Sequence, residues 1–187
     1  MPPKVKPMIR AAKPEELSKI MPLYDSAREF MQQSGNSSQW IDGYPSPEII
    51  LADIEKGNFY IEEFSGEITG CFAFIIGEEP TYQTIRGEWP DKESYGTIHR
   101  LASSGKRRGL ADRCIAFCKS KIPTLRADTH RDNLHMQRAL LRNGFRYCGI
   151  IHVANGSERL AYHLGKKLFA FSRMESLTGD ELLKRIN

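Results

Sequence analysis

Apolar residues recur at steps of three and four from Leu17 through Ile20, Met21, Tyr24, Ala27 and Met31, which predicts an amphipathic helix over 14–33. Pro14 stands where a first helical turn tolerates proline, and Glu15 and Glu16 suit the positive end of the helix dipole. A second helix is expected from Ser46, as cap, and Pro47 to about Lys56. The period then falls to two. Phe59 to Phe64, a Ser65-Gly66 turn and Glu67 to Ile76 read as a β-hairpin whose second strand is apolar enough to lie mid-sheet. Residues 77–93 read as a long loop, and 94–102 as a strand. A helix over 110–120, a short strand over 125–128 and a helix from Asn133 to Asn143 follow, the last stopped by Gly144. Strands over 147–153 and 158–164 flank Asn155-Gly156, a hairpin-turn signal. Met8 to Ala12 is a further candidate strand.

Outside this alternation lie two appendages. Residues 1–7, with three prolines and two lysines, offer nothing to bury and are expected to form a disordered arm. Residues 165–187 are expected to be a partly helical extension, because Thr178 and Glu181 have capping-box spacing ahead of Leu182, Leu183 and Ile186. The expected organisation is therefore one domain over 8–164 with an extension at each end; 187 residues, 40% of them hydrophobic, suffice for one sizeable core.

A net charge of +4, with 27 basic against 23 acidic residues, does not imply a general polyanion-binding surface, so no nucleic-acid partner is expected. No aromatic residues interleave with the basic cluster at 106–108, as base stacking would need. The longest apolar run, Cys71 to Ile76, is too short to span a bilayer and the N-terminus has no signal-peptide pattern, so no membrane partner and a cytoplasmic location are expected. Four cysteines without an export signal read as free thiols. Cys114 and Cys118 share a helix face, but no Cys or His pair completes a zinc set, so no metal is expected and core packing accounts for them.

The stretch Ser103-Ser104-Gly105-Lys106-Arg107-Arg108-Gly109-Leu110-Ala111 holds the most distinctive chemistry. A strand that ends in a glycine-bounded bend at a helix start aims several backbone amides at one point, where the helix dipole adds positive charge. That arrangement binds phosphate. Small residues such as Gly109 and Ala111 let a diphosphate approach the backbone, and Lys106, Arg107 and Arg108 add charge. The GxxxxGK[ST] and GxGxxG patterns of nucleotide sites are absent.

Residues 106–111 resemble the (Gln/Arg)-x-x-Gly-x-(Gly/Ala) signature of the GNAT acetyltransferase superfamily, with Lys106 where the family has Gln or Arg. Asp128 to Phe145, a strand end followed by an Asn133-started helix and Gly144-Phe145, is similar to a second family segment, and Trp40 to Pro45 resembles a loop of one bacterial subgroup. This resemblance covers about Met8 to Leu164. It implies an α/β (α+β) fold with a central mixed, mostly antiparallel sheet of about seven strands flanked by helices.

The resemblance also implies an N-acetyltransferase that moves an acetyl group from acetyl-CoA, as co-substrate, to a primary amine of a small molecule or peptide. It places coenzyme A along Leu101, Ala102 and Ser103 at the strand end, on Lys106, Arg107, Arg108, Gly109, Leu110 and Ala111, and beside Asn133 and Met136. His99 lies two residues upstream of Leu101, hence on the same face of an alternating strand, and is the candidate base; a packed strand histidine is the alternative. The proton-donor tyrosine carried by many family members falls on Leu140, so Tyr147 is the candidate acid, against a half-buried strand tyrosine. Leu140 also leaves open a non-catalytic acyl-CoA-binding or sensing domain. His130 follows Asp128 by two, but without a GxSxG elbow a hydrolase is not supported. Glu78, Glu79, Tyr82 and Trp89 either line an acceptor pocket or anchor the long loop. Leu168, Phe169, Phe171 and Met174 are available to cover a sheet edge or a second subunit of a homodimer.

Overall fold

The computed structural model describes residues 6–165. The first five residues of the arm and the extension beyond Gly165, including the expected terminal helix and Leu168, Phe169, Phe171 and Met174, lie outside the described residues. In chain order the elements are β1 (Met8–Ala11), α1 (Leu17–Gln33), α2 (Pro47–Glu55), β2 (Phe59–Phe64), β3 (Glu67–Ile76), β4 (Arg86–Gly87), β5 (Gly96–Ser103), α3 (Leu110–Lys121), β6 (Leu125–Thr129), α4 (Leu134–Arg142), β7 (Arg146–His152) and β8 (Glu158–Leu164). Among the described residues these form a mixed α/β fold with mostly antiparallel strands and four α-helices. Two compact units divide the chain: Met1–Ile75 with Ile98–Phe117, and Ile76–Thr97 with Cys118–Asn187.

In the first unit the strand order is β1-β2-β3-β5. One face of this sheet meets α1 and α2: Ile20, Leu23 and Tyr24 of α1 and Ile50 and Ile54 of α2 are buried with Phe59, Ile61, Cys71, Ala73 and Ala102. Alternation along β2 sends Tyr60 to the other face, where Phe117 of α3 closes on Tyr60 and Phe72 with ring centroids 5.0 and 6.0 Å apart. Ser46 caps α2 by accepting a hydrogen bond from the Ile49 amide at 3.4 Å, as its position before Pro47 predicts. The β2–β3 hairpin is antiparallel, with a bulge where Glu62 faces Gly70 and Glu63 faces Ile68, leaving Thr69 as the extra residue.

In the second unit the order is β6-β8-β7-β4. Among the described residues there are eight strands against about seven expected, and the additional one comes from the segment read as loop. Arg86–Gly87 pairs with Ile150 and Gly149 of β7, and a Cβ on Gly87 would lie 2.9 Å from the Gly149 Cα, so only paired glycines allow this approach. Nothing apolar marks so short a strand. The same segment is pinned by aromatics: Tyr82 is 2% exposed, Trp89 Nε1 donates to the Tyr82 carbonyl at 2.9 Å, and the Glu79 amide donates to the Tyr95 hydroxyl at 2.9 Å. Tyr82 and Trp89 pack with Tyr95, Ile151 and Ala161, which agrees with loop anchoring.

Among the described residues no helix is long and apolar enough to cross a membrane. Cys71, Cys114 and Cys118 are buried, and Cys148 is partly so.

Candidate functional site

Lys106 to Ala111 lies between the end of β5 and the first turn of α3. Ser103 and Ser104 tighten the bend before it: their hydroxyl oxygens accept from the amides of Gly105 at 3.1 Å and Lys106 at 3.3 Å. The Ser104 amide donates to the Thr69 carbonyl at 3.0 Å, which ties the bend to β3. Gly105 and Gly109 both take left-handed φ values, 73° and 82°, where a side chain would be strained. The helical hydrogen-bond ladder of α3 begins with the Arg113 amide donating to the Gly109 carbonyl at 3.2 Å. The amides of Leu110 and Ala111 precede it, and a first helical turn offers such groups to an anion.

Two of the loop's three cations contact the hairpin. Lys106 Nζ meets Glu67 Oε2 at 2.7 Å across an exposed surface, and the Arg107 guanidinium lies 3.8 Å from the centre of the Phe64 ring.

A carboxylate that sequence reasoning passed over holds the start of α3. Glu62 is fully buried, and its two oxygens accept from Arg113, Oε2 from Nε and Oε1 from Nη2 at 3.0 Å, while Thr69 Oγ1 donates to Oε1 at 2.9 Å. The remaining Nη1 of Arg113 donates to the Arg108 carbonyl at 2.9 Å. Burial pushes the Glu62 carboxyl up, but the hydrogen bonds from Arg113 and Thr69 and the charges of Arg113 and Arg107 outweigh it, leaving it below the ordinary carboxylate value. The bulge adds Thr69 to this group, whereas Glu62 follows the alternation of β2 onto the face that Tyr60 shares and α3 covers. From sequence alone a strand glutamate reads as solvent-facing.

On β5, Arg100 has a φ of 53°, the only strand residue other than glycine at positive φ among the described residues. That interrupts the alternation, so a common face for His99 and Leu101 does not follow from their spacing. Arg100 is held on three sides: Nη2 lies 2.6 Å from Asp53 Oδ2, Nη1 donates to the Tyr44 hydroxyl at 3.1 Å, and its carbonyl accepts from the Tyr24 hydroxyl at 2.8 Å. Tyr44 belongs to the Trp40–Pro45 loop, where Trp40 sits edge-on to Tyr24 at 5.5 Å. His99 is partly exposed.

In the second unit Asn133 caps α4, its Oδ1 accepting from the Met136 amide at 3.0 Å. Leu140 is fully buried. Gln137, also buried, donates to the Arg131 carbonyl at 2.5 Å and accepts from the Tyr162 hydroxyl at 3.3 Å. Tyr147 is partly buried with its ring edge-on to Tyr162 at 5.9 Å, and burial raises its phenol above the ordinary value. His130 Nδ1 faces Asp132 Oδ2 at 3.3 Å, while Asp128 Oδ1 accepts from the Tyr82 hydroxyl at 2.7 Å, so the two do not form a dyad through these contacts.

An acetyltransferase of the GNAT family from Streptococcus agalactiae is 34% identical to this chain, with a TM-score of 0.74 over 87% of this chain and 96% of that one. The chain belongs to the GNAT family of acetyltransferases. A putative acetyltransferase from Staphylococcus aureus is similar at 25% identity and a TM-score of 0.62, covering 86% of this GNAT chain and 99% of that one. YncA from Salmonella typhimurium, a putative acetyltransferase solved with its cofactor acetyl-CoA, shares the fold at 15% identity and a TM-score of 0.57, covering 88% of this chain and 96% of that one. No protein-family model matches the chain, and no curated protein sequence matches it significantly.

Proposed function

We propose that this protein is an acetyl-CoA-dependent N-acetyltransferase that acetylates a primary amine of a small molecule or peptide. The observation that supports this reading is the bend at Ser103–Gly109, where two left-handed glycines and a strand end tied to β3 lead directly into the first turn of α3. The amides of that turn fit a diphosphate: they are uncharged donors on fixed backbone, and no side chain larger than a methyl group intervenes at Gly109 or Ala111. In this reading Lys106 to Ala111 hold the diphosphate and Leu101, Ala102 and Ser103 line the pantetheine arm, while the family resemblance assigns Asn133 and Met136 to the same cofactor. The donor supplies an activated acetyl thioester.

The chain's own residues then have three tasks. An alkylammonium, which ordinarily loses its proton near pH 10, must be deprotonated before its nitrogen attacks, and His99 is the base for that proton. As the C–N bond forms, charge grows on the carbonyl oxygen, and in this reading a backbone amide at the end of β5 is its hydrogen-bond donor. When the C–S bond breaks, the departing thiolate takes a proton, for which Tyr147 is the donor; its raised phenol keeps that proton at neutral pH. Cys71 and Cys148, both pushed up to about 12 by burial, stay thiols, which favours direct attack by the amine over an acyl-cysteine route.

Leu140 supports a second reading, a domain that binds acyl-CoA without turnover, because the buried leucine has no proton to give. A single series separates the two. Binding of acetyl-CoA is followed by thermal shift, and thiol release is then assayed across a diverse amine library. Stabilisation with turnover on at least one amine is expected; stabilisation with no turnover selects the binding domain, and no stabilisation at millimolar ligand overturns both.

A further inference from the structure

We propose that Arg113, clamped by buried Glu62, is a positioning residue that aims the diphosphate-binding amides of the 106–111 bend. The inference rests on the acetyl-CoA reading above. It starts from a property of the peptide group: in a trans peptide the carbonyl and the following N–H point in opposite directions. Arg113 Nη1 holds the Arg108 carbonyl at 2.9 Å, so the N–H of Gly109 is turned to the opposite side of the bend. Gly109, at a φ of 82°, then reverses the chain into α3. Without a fixed direction for the 108–109 peptide, a loop bounded by two left-handed glycines has many orientations of nearly equal energy.

The clamp is itself fixed. Arg113 uses Nε and Nη2 on the two oxygens of Glu62, which leaves Nη1 pointing at the loop. Planarity of the guanidinium makes this geometric: two bonds to one carboxylate determine where the third donor lies. Glu62 cannot rotate away, because it is fully buried and accepts a further bond from Thr69, whose own carbonyl receives the Ser104 amide. One connected set of bonds therefore runs from the strand end at Ser104, through Thr69, Glu62 and Arg113, to the Arg108 carbonyl, and closes around the bend. Lys106 and Arg107 strengthen the same frame from outside by contacting Glu67 and Phe64 of the hairpin. This assigns the β2–β3 hairpin a role in donor binding although none of its residues need touch the donor.

The test compares two ligands that differ in the diphosphate. Dissociation constants for coenzyme A, by calorimetry, and for pantetheine, which lacks the diphosphate and nucleotide, by ligand-observed NMR, are measured for the wild type, Arg113→Gln and Arg113→Lys. Arg113→Gln is expected to weaken coenzyme A by about tenfold to a hundredfold, and pantetheine by less than about threefold. Arg113→Lys, which can keep the charge pair with Glu62 but lacks the third fixed donor, is expected to lose coenzyme A affinity to an intermediate degree, and it carries the measurement if Arg113→Gln does not fold. Equal loss for both ligands, or no loss for coenzyme A, overturns the positioning role while leaving the acetyl-CoA reading intact. A wild type that binds pantetheine no worse than coenzyme A overturns the diphosphate site itself, and this inference with it.

Discussion

Gly70 and Leu110 share a space that only one side chain can occupy. An ideal Cβ on Gly70 of β3 would lie 2.6 Å from Leu110 Cδ1 and 3.1 Å from its Cγ, and Leu110 is 4% exposed. The first residue of α3 therefore rests directly on the backbone of β3. That contact sets the depth at which the helix start, and the amides before it, sit over the sheet.

A side chain at position 70 must lift Leu110 or push it off rotamer. Gly70→Val is expected to cost about 1–3 kcal/mol in chemical denaturation, the usual penalty of overpacking. It should also weaken coenzyme A, because α3 rises with Leu110. Wild-type stability together with wild-type affinity would show that Leu110 has somewhere else to go.

His163 makes a pH prediction with a definite sign. It lies on β8, 4% exposed, with Nε2 3.2 Å from Asp91 Oδ2 and with Arg126 and Arg146 as its strand partners in register. Burial lowers its pKa, the Asp91 carboxylate opposes that, and the arginine charges add to it, leaving the net direction down. A folded-state value below the unfolded one, about 6.5, means that the unfolded chain takes up the proton first. Stability should then fall as the pH drops from about 6.5 towards the folded-state value, by up to about 1.4 kcal/mol per pH unit for one proton. His130, also lowered by burial, contributes in the same direction, so His163→Gln should remove one part of the slope and leave the other. Denaturant midpoints for both proteins between pH 7.5 and 5.5 decide it; parallel curves would mean that His163 protonates equally well in the folded state.

Periodicity and punctuation carried most of the fold. The Ser46-Pro47 start, the Ser65-Gly66 turn, the Asn133 cap and the Gly144 stop each act through local chemistry, and each is found where the sequence predicts it. The family resemblance of 106–111 and 128–145 likewise rests on local strings. Three features were not readable. Arg86–Gly87 is a strand only because Gly149 faces Gly87, and a two-residue pairing has no period. Arg100 sits at positive φ in a strand because Asp53, Tyr44 and Tyr24 hold it there, all more than forty positions away in sequence. Glu62 looks like an ordinary strand glutamate until Arg113 of α3, 51 positions on, meets it on the covered face of β2. In each case the deciding contact is distant in sequence, which no window of neighbouring residues contains.

The four cysteines give a prediction that bears on mechanism. Cys71, Cys114 and Cys118 are fully buried, and Cys148, partly exposed, has its thiol pushed up to about 12 by burial. At pH 8 an ordinary thiol is roughly a quarter ionised, whereas one titrating at about 12 is ionised to roughly one part in ten thousand. Iodoacetamide should therefore label native protein about a thousandfold more slowly than a free thiol, and all four residues promptly after unfolding. Mass spectrometry of the labelled positions reads this directly. Rapid labelling of Cys148 in the native state would contradict the burial and reopen an acyl-cysteine route.

His99 and Tyr147 are separable by kinetics once an acceptor amine is in hand. Removing a general base costs about a hundredfold to ten-thousandfold in rate, and His99→Gln should show this in kcat with the KM for acetyl-CoA little changed. Tyr147 differs, because a coenzyme A thiolate leaves tolerably well without help. Tyr147→Phe keeps the ring that packs edge-on to Tyr162 at 5.9 Å, so folding stability should stay within about 1 kcal/mol while kcat falls by about a hundredfold, the low end for proton transfer. The two variants should also respond differently to the acceptor. A weakly basic amine reaches its neutral form unaided, so it should narrow the gap between His99→Gln and wild type and leave the Tyr147→Phe gap as it is. If kcat for Tyr147→Phe equals that of wild type across amines, the thiolate departs without a protein acid; if His99→Gln loses no more with strongly basic amines than with weak ones, the proton leaves by another route.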